Sequence, residues 1–417
     1  MNSETLDLEF CVPIHLTLTG CHLKELIKSF KNAIGQLFQT IVTEALLYFA
    51  TKYKENGYLS ELSGSSEIIW KSSKGFRLTT IHTIFGKIKV PQLQIQDKQT
   101  GKKLYITRLL LGIEPRKRIP RCSKEVWALT GALAPYRVAT KLVMPEADAP
   151  RRISLFSGFR PTLMDILRSV RSVGKEFSFD IDPTESNVFE ADGTGVAILK
   201  TGKRGKELKI LAQRKKTWGI RIASIHLDHY KRGWDKIFSC IKEQIKILGN
   251  VIIVTDGDVS ILKGVGDKVN IILQRCLWHI PHEVKYTLWK DKVKRKSDNW
   301  VAVLSEILDI CRIRKIADEK DEAVLDNMIE KKLIKLDELI AYCQKEGLDY
   351  IATFLQNCRG DLFSGVSRKI KGGTTSLIER VMRTINQRIN VGVWGHDGAL
   401  CVAKIRAAYY YNGFDID

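Results

Sequence analysis

The order in which apolar runs change their period between residues 188 and 278 restricts this chain more than any other feature. Three strand-like runs come first, at 188–199, 207–213 and 217–227. A helical stretch at 234–248, a strand at 251–255, a second helix at 259–266 and a strand at 270–275 complete the series. Three strands in succession, then helices and strands in alternation, predict an α/β core.

Two acids follow apolar strands of this core, and a third lies on a late helix. Val188-Phe189-Glu190-Ala191-Asp192-Gly193-Thr194 carries Asp192. Val251 to Asp258 carries Asp256, with Asp258 a competing candidate two residues on. Thr374-Thr375-Ser376-Leu377-Ile378-Glu379-Arg380 carries Glu379. An acid in an apolar strand is disfavoured by burial and β-propensity unless something compensates it. Asp-Gly is also a strong turn signal, so each Asp alone reads equally as a strand-end turn. Their recurrence favours chemistry. Three carboxylates far apart in sequence suit a site for two divalent metals in phosphoryl transfer, since Mg²⁺ takes oxygen ligands in octahedral array. Glu379 opens a helix with the apolar stripe Ile378, Val381, Met382, Ile385 and Ile389. Gly372-Gly373-Thr374-Thr375 supplies its turn and a capping hydroxyl, and Arg380, Arg383 and Arg388 share its polar side. A solvated basic face and a metal-binding Glu among phosphate-contacting arginines are the two readings of that helix.

At 417 residues the chain exceeds one small core, and the pattern divides it into regions. Region 1–65 is N-terminal and helical, with helical spacing over 23–54. A small β unit at 66–112 holds short runs at 68–70, 78–85, 87–90 and 104–106. Region 113–180 is helical, with Ser123 as a cap, a second piece from Pro135-Tyr136 and a third from Pro161. It reads equally as a helix-turn-helix DNA-binding module and as packing helices. After a polar linker, the α/β core runs over 186–282, an all-helical insertion over 283–360, and the C-terminal helices with the third acid over 361–417.

The chain holds 67 Lys+Arg against 47 Asp+Glu, a formal net charge of +20, which points to a polyanionic partner, nucleic acid above all. The excess is clustered. Arg116, Lys117 and Arg118 lie in one group, Lys203, Arg204, Lys215 and Lys216 in a second, and Lys285 to Lys296 form a third beside Trp289. Such clusters are candidate phosphate contacts, as are Arg380, Arg383 and Arg388. Nine cysteines without a CxxC pair fit a reducing cytosol. Met1 to Phe10 has no basic n-region, and no apolar run approaches the ~18 residues that span a bilayer, so the expected place is the cytoplasm with no membrane partner.

Between the second and third acids comes Cys276-Leu277-Trp278-His279. A structural zinc site needs four ligands, and His282 and Cys311 make no persuasive second pair, so no zinc is expected. Asp after the first strand, Asp-Gly after the fourth, this C-x2-H, a helical insertion and then Thr-Thr-x-x-x-Glu-Arg-x-x-Arg-x-x-x-x-Arg together resemble the Mutator-type DDE transposases of bacterial and archaeal insertion sequences. The similarity covers about 186–417, and 66–172 more loosely. Thr375-Ser376 stands where many relatives have Thr-Asn.

The resemblance implies an RNase H-like core and a catalytic, metal-binding triad of Asp192, Asp256 and Glu379 using Mg²⁺ or Mn²⁺. It places Cys276 and His279 near the active site. It implies metal-dependent DNA cleavage and strand transfer at terminal inverted repeats, and a homodimer or larger synaptic complex in a prokaryotic, nucleoid-associated setting; the helices of 123–172 are the candidate for reading those repeats. The alternatives are an RNase H-like nuclease or resolvase that cuts without strand transfer, and a catalytically inactive, domesticated DNA-binding protein.

Overall fold

A computed structural model of the chain describes residues 33–34, 37–48, 51, 68–70, 77–83, 86–92, 94–97, 101, 103–114, 117–143, 161–199, 206–229, 232–240, 242–265, 271–312, 319, 321–366 and 376–414. They fall into two compact units, Met1–Val173 with Ile416–Asp417, and Gly174–Asp415.

In the first unit, residues 37–48 form helix α1. Strands β1 (Ile68–Trp70), β2 (Arg77–Thr83), β3 (Gly86–Gln92), β4 (Gln94–Asp97) and β5 (Lys103–Tyr105) follow. β2 and β3 form an antiparallel hairpin, and β1-β4-β5 an antiparallel sheet. Leu46, Ile81, Ile88, Val90 and Ile113 make a common core. The strand expected over 104–106 stops at Tyr105, and Ile106–Leu110 is a short helix, α2. There the Thr107 hydroxyl donates to Pro91 O at 2.6 Å, which anchors the helix to β3. Three helices occupy the region read as helical: α3 (Arg121–Leu133), α4 (Tyr136–Val143) and α5 (Leu163–Glu176). The expected Ser123 cap is corrected. α3 begins at Arg121 after Pro120, and Ser123 is buried within its first turn.

The second unit is mixed α/β, built on a five-stranded sheet of β6 (Val188–Val196), β7 (Lys206–Arg214), β8 (Ile220–Asp228), β9 (Val251–Thr255) and β10 (Ile271–Arg275). Its strand order is β10-β9-β6-β7-β8. The three successive strands pair antiparallel, while β9 and β10, each reached through helices, lie parallel to β6 and to each other. Two expected boundaries move. β6 ends at Val196, beyond which Ile198 makes a lone bridge to Trp394. β8 begins at Ile220, because 217–219 belong to a turn closed by Lys215 N–H to Gly219 O at 3.0 Å.

Helices α6 (Trp234–Cys240), α7 (Lys242–Leu248) and α8 (Val259–Val265) connect the strands. Trp234, Ile237, Phe238, Ile261 and Val265 bury one face of the sheet over Phe189, Ala191, Leu211, Ala223 and Ile253. Two late helices, α13 (Ser376–Ile389) and α14 (His396–Ala407), pack on β6 and β8 respectively. All five residues of the α13 stripe are buried, as their spacing predicts.

Contacts at each edge of the sheet satisfy some of the backbone groups that would otherwise stand open. On β8 the Asn412 amide imitates a strand, accepting from Ile222 N at 2.8 Å and donating to Ile222 O at 2.9 Å. On β10 the segment 361–366 closes the edge. Arg275 N donates to Asp361 O at 2.8 Å, and Gly365 N to Gln274 Oε1 at 2.8 Å.

That segment returns from a helical bundle of α9 (Ile280–Lys290), α10 (Asp298–Cys311), α11 (Glu322–Lys345) and α12 (Asp349–Cys358). Val284, Leu288, Val303, Ile307, Leu336 and Leu355 are among its buried residues. Its first helix opens at Ile280, within the stretch read as sheet core. Asp321 caps α11, and Asp291 accepts from Tyr350 and Ile351 N–H to cap α12. Among the described residues no helix is long and apolar enough to cross a membrane.

Candidate active site

β6 and β9 are parallel neighbours in register Ala191 to Thr255, so Asp192 within β6 and Asp256 just past β9 come side by side. Adjacent strands lie about 4.8 Å apart, close enough for the two carboxylates to share a field. The Asp192-Gly193 pair is not a turn. Both residues lie inside β6, opposite Ile210 and Lys209 of β7. Asp192 Oδ1 accepts from Gly193 N at 2.7 Å. Asp256 does follow the last residue of its strand, and its Oδ1 accepts from Asp258 N at 2.9 Å and Thr255 Oγ1 at 3.2 Å. Asp258, the competing candidate, accepts from Ser260 N at 2.6 Å as the cap of α8.

Gly257 has a φ of +91°, and the space a side chain would fill there is taken by the Arg275 guanidinium. Arg275 is itself held by a two-pronged pair with Asp361, 2.8 Å at each prong. The Asp-Gly step after β9 is therefore locked against β10 and the chain returning from the helical bundle.

Glu379 reaches the same place from α13. Its approach is set by Glu190, two residues before Asp192 on β6 and fully buried. Glu190 Oε1 pairs with Arg214 Nε at 2.7 Å, and Oε2 accepts from Ile378 N at 2.8 Å. Burial raises the Glu190 carboxyl above its ordinary range while Arg214 and the helix N–H groups oppose that rise. Thr194 and Asn386 tie the same strand and helix together at 3.1 Å. The cap expected from Thr374-Thr375 lies outside the described residues.

The C-x2-H turn follows β10. Cys276 N donates to Thr255 O at 2.7 Å and His279 N to Cys276 O at 3.1 Å, which seats the turn beside the end of β9. Cys276 is buried under the sheet with Val188, Ile252 and Val254. His279 Nε2 lies 3.3 Å from Glu379 Oε1. Burial alone would lower the imidazole, but a hydrogen bond to Cys276 and the charges of Glu379 and Asp256 raise it to about 9. Asp192 is pushed up to about 7, first by burial and then by Asp256, with Glu379 adding to the rise. Burial and the neighbouring carboxylates thus oppose charge on Asp192, and His279 is a local countercharge.

Among the described residues no three His, Cys, Asp or Glu side chains stand ready as ligands about one point. The donor chemistry nevertheless fits a hard divalent cation. Asp192, Asp256 and Glu379 are oxygen donors, and the crowding that holds Asp192 protonated near neutrality is what a cation would relieve.

The other residues singled out from the sequence are dispersed. Lys117 and Arg118 are exposed and line a pocket of the first unit with Lys124 and Arg168. Lys215 and Lys216 stand at the β7–β8 tip. Arg383 is exposed, and so is Arg380, whose guanidinium lies 5.6 Å from the centroid of the exposed Trp218 ring. Arg388 is buried, 6% exposed, and its guanidinium lies 4.5 Å from the centroid of the Trp394 ring. Arg116, Lys203 and Arg204 lie outside the described residues.

The sequence reading missed the positioning roles of Glu190 and Arg275. An acid two residues before Asp192 in an apolar strand was the available signal for the first. Set against known protein families and curated proteins, the chain matches neither a family nor an individual protein.

Proposed function

We propose that this chain is a DDE-type DNA transposase that cleaves DNA strands and transfers them in a metal-dependent reaction at the ends of an insertion sequence. The observation that carries the reading is the convergence of Asp192 from the first core strand, Asp256 from the end of the fourth, and Glu379 from a late helix. The strand order β8-β7-β6-β9-β10, with only the second strand antiparallel to its neighbours on both sides, is the arrangement expected of an RNase H-like core. The helical bundle between the second and third acids supports the same reading.

Asp192, Asp256 and Glu379 would hold divalent cations. Mg²⁺ or Mn²⁺, when bound, would supply activation of the attacking oxygen and stabilisation of the leaving oxygen. The chain's own residues do the rest. Glu190 and Arg214 fix α13, so that Glu379 meets the strands at a set distance. His279 balances the carboxylates and orients Glu379 through their contact. Arg380 and Arg383 offer exposed cations beside Glu379 for DNA phosphates. The helices of region 113–180 would read the terminal repeats, and joining two ends calls for a dimer or larger synaptic assembly.

The test is a cleavage and joining assay with Mg²⁺ or Mn²⁺ on DNA carrying the gene's own flanks, with Glu379→Gln beside the wild type. Nicks at the element ends, with joined products that the variant does not make, are the expected result. Cutting without joining would replace the reading with a nuclease. Binding without any chemistry would replace it with an inactive, domesticated DNA-binding protein.

A further inference from the structure

The turn that carries His279 continues outward as an exposed aromatic face. Trp278 is 52% exposed, with its ring 5.0 Å from that of His279 and 4.4 Å from that of His282. On α9, His282 is exposed, Tyr286 is 66% exposed and Trp289 is 74% exposed. The same helix buries Val284, Thr287 and Leu288 on its other side, so its core contacts are already made without these rings. Aromatic side chains left in water in a row, starting beside a carboxylate site, imply a partner with flat apolar surfaces.

Charge narrows the partner. Lys285, Lys290, Lys292 and Lys296 are exposed along the same helix and the turn after it. Against them stand the exposed Glu283 and the half-buried Asp291, both of whose carboxylate oxygens are engaged in capping α12. The partner is therefore anionic as well as flat-faced. Spacing narrows it further. At a rise of about 1.5 Å per residue, His282 and Tyr286 are about 6 Å apart along the helix, and Tyr286 and Trp289 about 4.5 Å. Both exceed the roughly 3.4 Å rise per strand of duplex DNA, so the row suits a stretched, unpaired strand rather than stacked base pairs.

We propose that Trp278, His282, Tyr286 and Trp289 form a stacking surface for the bases of unpaired DNA running from the carboxylate site onto the helical bundle. The proposal rests on the transposase reading and adds to it a site for single-stranded DNA. Its chemistry is base stacking on aromatic rings with lysines on the backbone, which tolerates any sequence.

The test measures binding of the full chain in chelator, by fluorescence anisotropy, to an oligothymidylate of about a dozen nucleotides and to a blunt duplex of equal length. Trp289→Ala and Tyr286→Ala should each weaken the single strand by about fivefold or more while the duplex is little changed. Trp289→Phe should restore most of the loss, and circular dichroism melts should match the wild type. Equal losses on both DNAs, or none on the single strand, would overturn the proposal. Abolished self-association in sedimentation, with unchanged DNA binding, would overturn it too and make the face a contact between copies. No metal or cleavage step enters the measurement. Failure here leaves the cleavage result standing, and absent cleavage with intact stacking would sink only the transposase reading.

Discussion

Asp192 is a single residue whose surroundings oppose its own charge. Its carboxyl rises from 3.8 to about 7 because burial and Asp256 both oppose its charge. A folded-state pKa above the unfolded value means that the folded protein holds the proton longer. Metal-free stability therefore falls as pH climbs from about 4 to 7, and below about 4 the group contributes nothing. Asp192→Asn should stabilise the metal-free protein at pH 7.5 by on the order of 2 to 4 kcal/mol, at about 1.4 kcal/mol per pKa unit, while abolishing cleavage. Thermal melts in chelator at neutral and acid pH check this, and a gain of equal size at both would show that crowding is not the cause. The acid was legible in the sequence, but its setting was not. Asp-Gly reads as a turn until β7 is seen paired through both residues, because strand pairing is decided by a distant segment. Arg388 carried the opposite signal. It lies three residues after Ile385 and seven after Val381, on the apolar stripe itself, so the spacing already pointed to burial.

At the scale of elements, the site depends on docking α13 to β6. Glu190 is the joint, a buried acid satisfied by Arg214 and by the first turn of the helix. Removing it takes away the carboxylate that pairs with Arg214 and leaves a cavity in its place, the costly way to break a buried pair. Glu190→Ala should destabilise the protein by on the order of 3 kcal/mol in urea unfolding, and the double variant with Arg214→Met should recover part of that. The amides at the start of α13 should also exchange faster in the single variant. Unchanged exchange there would mean that the helix is docked by its apolar stripe alone. The elements themselves were largely legible from periodicity, Val251–Thr255 to the residue. The misses were the strand β4 at Gln94–Asp97, which no run had marked, and the boundaries at β6, β8 and Ile106–Leu110, where strand pairing, side-chain anchoring and turn hydrogen bonds outweigh local preference.

For the whole molecule, the excess of 67 Lys+Arg over 47 Asp+Glu is a statement about partners rather than about fold. Lys215 and Lys216 lie at the tip that also presents Trp218 beside Arg380, one residue from Glu379. Charge reversal of both lysines should weaken DNA binding and reduce the salt slope by about two, one unit per lost phosphate contact. A slope equal to the wild type across a salt titration would make that tip a solvated face. The sequence by itself determined the order of the strands in the second unit, the buried stripe of α13, the basic balance and three candidate acids, because periodicity and composition are local properties of the chain. Only the tertiary structure decided that Asp192 and Asp256 are neighbours, that Glu190 ties Glu379 to them, that Arg275 and Asp361 lock the step after β9, and that His279 faces Glu379. Each of those depends on which strands pair and where a helix lands, and segments far apart in the chain settle that together.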